Sequence, residues 1–108
     1  MPEEISATDL ARRLKASEPI LLLDVREAWE REVARLPGDV HIPMNDIPVR
    51  LPEIVPPAGG VIVAYCHAGV RSLAVAAFLE QAGHANVLSL AGGIDAWSCD
   101  VDPRTPRY

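Results

Sequence analysis

The sequence predicts a three-layer α/β domain whose central, mainly parallel sheet has about five short strands flanked by helices. Apolar runs of strand length alternate with helical patterns, and this implies parallel pairing through right-handed crossovers. The runs Ile20 to Val25, broken only by Asp24, and Val61 to Tyr65 are continuous rather than alternating, as in strands covered on both faces. A length of 108 residues, 49% hydrophobic and 23% charged, suits a single domain over 1–108, with 103–108 as a tail.

The elements follow in order. Glu3 to Ile5 reads as a small edge strand, after which Ser6 caps a helix with Ala7, Leu10, Ala11 and Leu14 on one face. Ile20 to Val25 is a central strand, Glu27 to Val33 a short helix, Leu36-Pro37-Gly38 a turn, and Val40 to Ile42 a short strand closed by Pro43. Five prolines between Pro43 and Pro57 leave room for one brief helix around Met44 to Leu51 and a loop ending in Gly59-Gly60. Val61 to Tyr65 is the strongest strand and Arg71 to Gln81 the strongest helix, with Gly83 placed as its cap. Val87 to Leu90 is the last strand, Gly92-Gly93 a turn, Ile94 to Trp97 one helical turn, and Val101 to Tyr108 a proline-containing tail.

Charge narrows the function classes. The net charge of -5 repels phosphate backbones and anionic lipid, so neither nucleic acid nor membrane is an expected partner. Nine of the ten basic residues are Arg, the residue of bidentate anion recognition. The acidic start and apolar stretches of only about six residues, such as Val61 to Cys66, predict neither signal peptide nor membrane helix. Cys66 and Cys99 match no zinc spacing and are too few for a disulfide scaffold, so a reducing cytoplasm is expected, with no metal and no cofactor. Spacing alone leaves a Cys66–Cys99 disulfide open.

The chemistry concentrates at Cys66-His67-Ala68-Gly69-Val70-Arg71, between the carboxyl end of the strongest strand and the amino end of the strongest helix. Sites in parallel sheets form at that edge. Unpaired backbone N–H groups, the helix dipole and a guanidinium five residues on all favour a thiolate at Cys66. An ordinary thiol is only about 3% ionised at pH 7, so a drop of one or two pKa units suffices to make it a nucleophile. Gly69 permits a positive φ, which lets the loop amides curl inward as an anion-binding nest.

These residues belong to a wider pattern. Leu23-Asp24-Val25-Arg26 with Trp29, Leu36-Pro37-Gly38 followed by His41-Ile42-Pro43, Cys66 to Arg71 followed by Ser72, and Leu90 to Trp97 together resemble a single-domain rhodanese, of the sulfurtransferase family. The resemblance implies that Cys66 takes a sulfane sulfur as a persulfide from thiosulfate or a persulfide donor. The sulfur then passes to cyanide, a thiol or a protein acceptor. The chain departs from the family pattern after Trp97, where Ser98-Cys99-Asp100 replaces the usual Gly and Pro.

Around Cys66, the loop residues His67, Ala68, Gly69, Val70 and Arg71 are expected to bind the anionic substrate, with Arg71 contributing charge. Asp24, Arg26 and Ser72 are expected to support it. Asp24 interrupts an apolar run and must be paired, organising loop amides or Arg26. Arg26 either lines the site or pairs with Asp24 or a nearby Glu. His67 is expected to face solvent, His41 and His84 to be ordinary strand-end and loop residues, and Trp29 and Trp97 to anchor their helices. Cys99 reads as a partly buried thiol, or as a resolving thiol if it reaches Cys66. Two other readings compete: a rhodanese-like interaction module without catalysis, and a Cys-dependent phosphatase or arsenate reductase. The second closes Cys to Arg over a loop one residue longer than the four residues present here.

Overall fold

The computed structural model describes residues 2–108. Five strands, β1 (Glu3–Ile5), β2 (Ile20–Asp24), β3 (Val40–His41), β4 (Val61–Tyr65) and β5 (Val87–Leu90), form one sheet in the order β1-β5-β4-β2-β3. Every pairing is parallel. The helices are α1 (Ala7–Lys15), α2 (Ala28–Val33), α3 (Ile47–Arg50), α4 (Val70–Gln81) and α5 (Gly93–Asp100).

The two continuous apolar runs became the sheet centre, because β2 and β4 pair from Ile20↔Val61 to Asp24↔Tyr65. All five residues of β4 are buried. Their side chains alternate between two cores. Val61, Val63 and Tyr65 pack with Leu10 of α1 and Ile94 and Trp97 of α5. Ile62, Ala64 and Cys66 pack with Val75, Ala76 and Leu79 of α4 and with Ile47. Cys66 thus continues the strand's alternation, pointing into the α4 face of the sheet.

Several elements differ from expectation. The proline-rich segment folds as α3 flanked by single 3-10 turns at Met44–Asp46 and Leu51–Glu53, since Pro48 and Pro52 each remove an amide donor from a continuing helix. Helix α5 runs to Asp100 rather than stopping at Trp97. Ser98, Cys99 and Asp100 all retain their N–H groups, the Ser98 hydroxyl donates to the Ile94 carbonyl (3.1 Å), and the chain meets no proline until Pro103. Trp97 is a buried anchor as expected, but Trp29 is 60% exposed. Helix α2 is short and turns its Glu30 inward, which leaves Trp29 on the outside with its ring edge against Tyr108 (centroids 5.7 Å apart).

Candidate active site

Cys66 follows the last residue of β4, and Gly69, at φ +100°, turns the chain into α4. That positive φ directs amides inward, a conformation glycine adopts without steric cost. The Cys66 Sγ accepts the Gly69 N–H at 3.1 Å and the Ser72 N–H at 3.4 Å, and lies 3.5 Å from Ser72 Oγ. Ser72 Oγ is in turn 2.8 Å from Ser89 Oγ of β5. Burial pushes the thiol up, but the Ser72 hydroxyl and the amides of Ser72, Gly69 and Ala68 outweigh it, so Cys66 sits below the ordinary thiol value. Cys66 is only 1% exposed, deeper than a loop-mouth position suggests.

The loop is braced from behind by α5. Its first-turn amides donate to the loop carbonyls, Ile94 N–H to Cys66 O at 2.9 Å and Asp95 N–H to His67 O at 3.1 Å. Gly92 and Gly93 both have positive φ, and a Cβ at Gly93 would stand 2.5 Å from Cys66 O. Close backbone approach is the reason for glycine here.

Arg71 lies at the start of α4 with its guanidinium turned to Glu30 of α2, Nη1 donating to Oε1 at 2.7 Å and Nη2 to Oε2 at 2.9 Å. This contact, with a phenol bond from Tyr108, holds the Glu30 carboxyl down at about 2 despite burial. The Cys66 sulfur is therefore met by amides and a hydroxyl, while the loop's own cation is engaged by a carboxylate.

Behind this pair lies a buried ionic network. Arg26 is fully buried; its side chain donates to both carboxylate oxygens of Asp24 (2.9 and 3.0 Å), to the Ala34 carbonyl (2.7 Å) and to Tyr108 Oη (2.8 Å). Of the alternatives for Arg26, the pair with Asp24 is the one present. Arg31 links Asp24 (2.8 Å) to Asp39 (2.6 Å), which also accepts the Tyr65 hydroxyl at 2.5 Å. Burial opposes ionisation of Asp24, yet the bonds from Arg26 and Arg31 hold its carboxyl below the usual range. Among the described residues no buried side-chain nitrogen or oxygen lacks a partner.

The tail supplies residues that sequence reasoning overlooked. Tyr108 stacks on His67 with centroids 4.1 Å apart and planes 14° from parallel, and its hydroxyl donates to Glu30 Oε2 at 2.6 Å. His67 is thus half-buried under an aromatic ring rather than turned to open solvent. His41 is a strand-end residue bonded at 2.7 Å to the Arg26 carbonyl. Cys99 is exposed, and neither cysteine is in a disulfide. Glu30, Ser89 and Tyr108 were the missed participants. Ser89 carried a signal, a hydroxyl inside an apolar strand, whereas Glu30 and Tyr108 look like ordinary surface residues until the chain is folded. Among the described residues there is no cluster of three or more His, Cys, Asp or Glu able to hold a metal, and no helix long and apolar enough to cross a membrane.

Comparison with known proteins agrees with this geometry. A sulfurtransferase of Allochromatium vinosum is 40% identical over 98 residues, covering 91% of this chain and 90% of that protein. A putative sulfurtransferase of Bacillus subtilis is 33% identical, covering 94% and 96%. The crystal structure of a rhodanese-like domain protein from Staphylococcus aureus superposes with a TM-score of 0.81 at 28% identity, covering 98% of each chain. The rhodanese-like domain model matches residues 6–100, from the cap of α1 to the end of α5, and with it the Cys66 loop and the strands and helices that hold it. The chain belongs to the rhodanese-like family, among relatives named as sulfurtransferases.

Proposed function

We propose that the protein is a sulfurtransferase in which Cys66 carries the sulfur as a persulfide. The observation that carries this reading is the Cys66 sulfur, set at the end of β4 among inward amides of Gly69 and Ser72 that favour its anion. The Cys66 thiolate attacks the outer sulfur of a sulfane donor. The donor's S–S bond breaks, and its remaining fragment leaves with the bonding pair: sulfite from thiosulfate, or a thiolate from a persulfide. The charge now sits on the terminal sulfur of the Cys66 persulfide, and the amide ring with the Ser72 hydroxyl stabilises it as it did the thiolate. A thiol, cyanide or a protein acceptor then attacks that terminal sulfur, and Cys66 departs as the thiolate it began as. No general base is required, because nucleophile and leaving group are the same stabilised anion.

Ser72 and Ser89 tune the sulfur, Gly69 shapes the nest, and Asp24 with Arg26 fixes the end of β2 beside it. His67, Ala68, Val70 and Arg71 complete the substrate loop. The test is mass spectrometry of the protein after incubation with thiosulfate or an organic persulfide, alongside turnover with cyanide. The parent should gain one sulfur atom, and Cys66→Ser should gain none and turn nothing over. Sulfur found on the Cys66→Ser protein would refute the assignment.

A further inference from the structure

Arg71 closes the Cys66 loop, yet both of its terminal nitrogens are held by Glu30. The connected ionic network contains three guanidiniums, Arg26, Arg31 and Arg71, and three carboxylates, Asp24, Glu30 and Asp39, so it is neutral as a whole. Glu30 has little freedom to leave. Its Oε1 accepts the Glu27 N–H at 3.0 Å as well as Arg71, and its Oε2 accepts the Tyr108 hydroxyl as well as Arg71. Tyr108 is itself fixed by Arg26 and by its stack on His67. This one side chain therefore touches the loop at residue 67 directly and at residue 71 through Glu30.

An anion approaching Cys66 meets a guanidinium that a carboxylate already neutralises. To recruit Arg71, a dianion must displace Glu30, which is 3% exposed and would lose its counter-charge while remaining buried. A donor with a smaller charge makes no such demand. We propose that Glu30, held in place by Tyr108, is a specificity-determining residue: by occupying Arg71 it selects sulfane-sulfur donors with an organic leaving group and at most one negative charge over the thiosulfate dianion. The proposal rests on the sulfur-transfer reading and narrows its donor class. Glu30 and Tyr108 are positioning residues, acting through Arg71. The step is the same for either donor class: the Cys66 thiolate takes the outer sulfur, and the leaving group departs with the bonding pair. Methanethiosulfonate releases methanesulfinate where thiosulfate releases sulfite, and no oxidant is consumed.

The experiment uses the full chain carrying Cys99→Ser, so that Cys66 is the sole thiol. Alkylation by anionic iodoacetate and by neutral iodoacetamide reads the charge at the loop without any sulfur transfer, and kcat/KM for thiosulfate and for methanethiosulfonate reads donor choice. Glu30→Gln should raise the iodoacetate-to-iodoacetamide rate ratio and the thiosulfate-to-methanethiosulfonate ratio each by about tenfold, the size of effect expected from one nearby charge. Tyr108→Phe, which keeps the ring on His67 and removes only the hydroxyl, should move both ratios the same way by about threefold, and added salt should shrink both gains. Should Glu30→Gln fail to fold, Tyr108→Phe carries the test. Ratios unchanged in the folded variants, or shifted against the anionic reagents, would overturn the role of Glu30 while leaving sulfur transfer intact. Alkylation ratios that shift as expected while neither donor loads Cys66 would support the charge role of Glu30 and refute sulfur transfer.

Discussion

Replacing Gly93 with alanine tests whether the backbone brace behind the loop holds Cys66 in position. Gly93 has φ +60°, where an L-residue costs about 1–2 kcal/mol. An added methyl would also lie 2.5 Å from Cys66 O and closer still to His67 O, and overpacking of this kind costs typically 1–3 kcal/mol. Together these predict a loss of roughly 3 kcal/mol, or a fall in Tm of roughly 12 °C for a domain of this size. The control is Gly59→Ala, which shares the positive φ (+71°) but has nothing within 4 Å of the new methyl, and so incurs the conformational part alone. Thermal and urea unfolding of both variants separate the two contributions. The Gly93→Ala methyl can be accommodated only by moving the Cys66 and His67 carbonyls off the Ile94 and Asp95 amides, so alkylation of Cys66 should also shift to higher pH. Equal stability losses in the two variants, with an unchanged alkylation profile in Gly93→Ala, would refute the argument that α5 sets the loop's geometry.

Four further outcomes follow from the same contacts. Ser72→Ala removes the hydroxyl beside the Cys66 sulfur and should move iodoacetamide alkylation of Cys66 to higher pH; an unmoved profile would assign the whole effect to the amides. Asp24→Ala strands the fully buried Arg26 and should cost roughly 3–5 kcal/mol in urea unfolding, whereas a loss under 1 kcal/mol would mean the network contributes little. Asp24 and Glu30 are both held below their ordinary values of 3.8 and 4.5, so the stability they add is present above those values. The Glu30 part is lost as pH falls toward about 2 and the Asp24 part as pH falls below 3.8, and urea midpoints that stay level over that acid range would contradict this. Cys99→Ser should leave sulfur loading and turnover with cyanide unchanged, because Cys99 is exposed and not joined to Cys66; a loss comparable to that of Cys66→Ser would make it a participant.

The parts legible in the sequence share one property, that their signal is local. Continuous apolar runs at Ile20 to Val25 and Val61 to Tyr65 require burial on both faces, and a parallel sheet with helices on each side is the way to provide it. Cys66 and Gly69 could be placed at the sheet's carboxyl edge because a strand, a short glycine-containing loop and a strong helix follow one another directly in the chain. What only the tertiary structure decided are pairings between residues far apart in sequence. Arg71 meets Glu30 across 41 positions, and Tyr108 meets Glu30 across 78. No periodicity or spacing encodes such contacts; they follow from how α2 and the tail settle over the loop. The depth of Cys66 has the same origin. The cysteine looked like a loop residue, but the alternation of β4 continues through it and places the sulfur on the side covered by α4. Sequence alone therefore placed Cys66 and the amides that surround it, whereas folding determined which charges face it, because Coulomb interactions depend on distance in space and not along the chain.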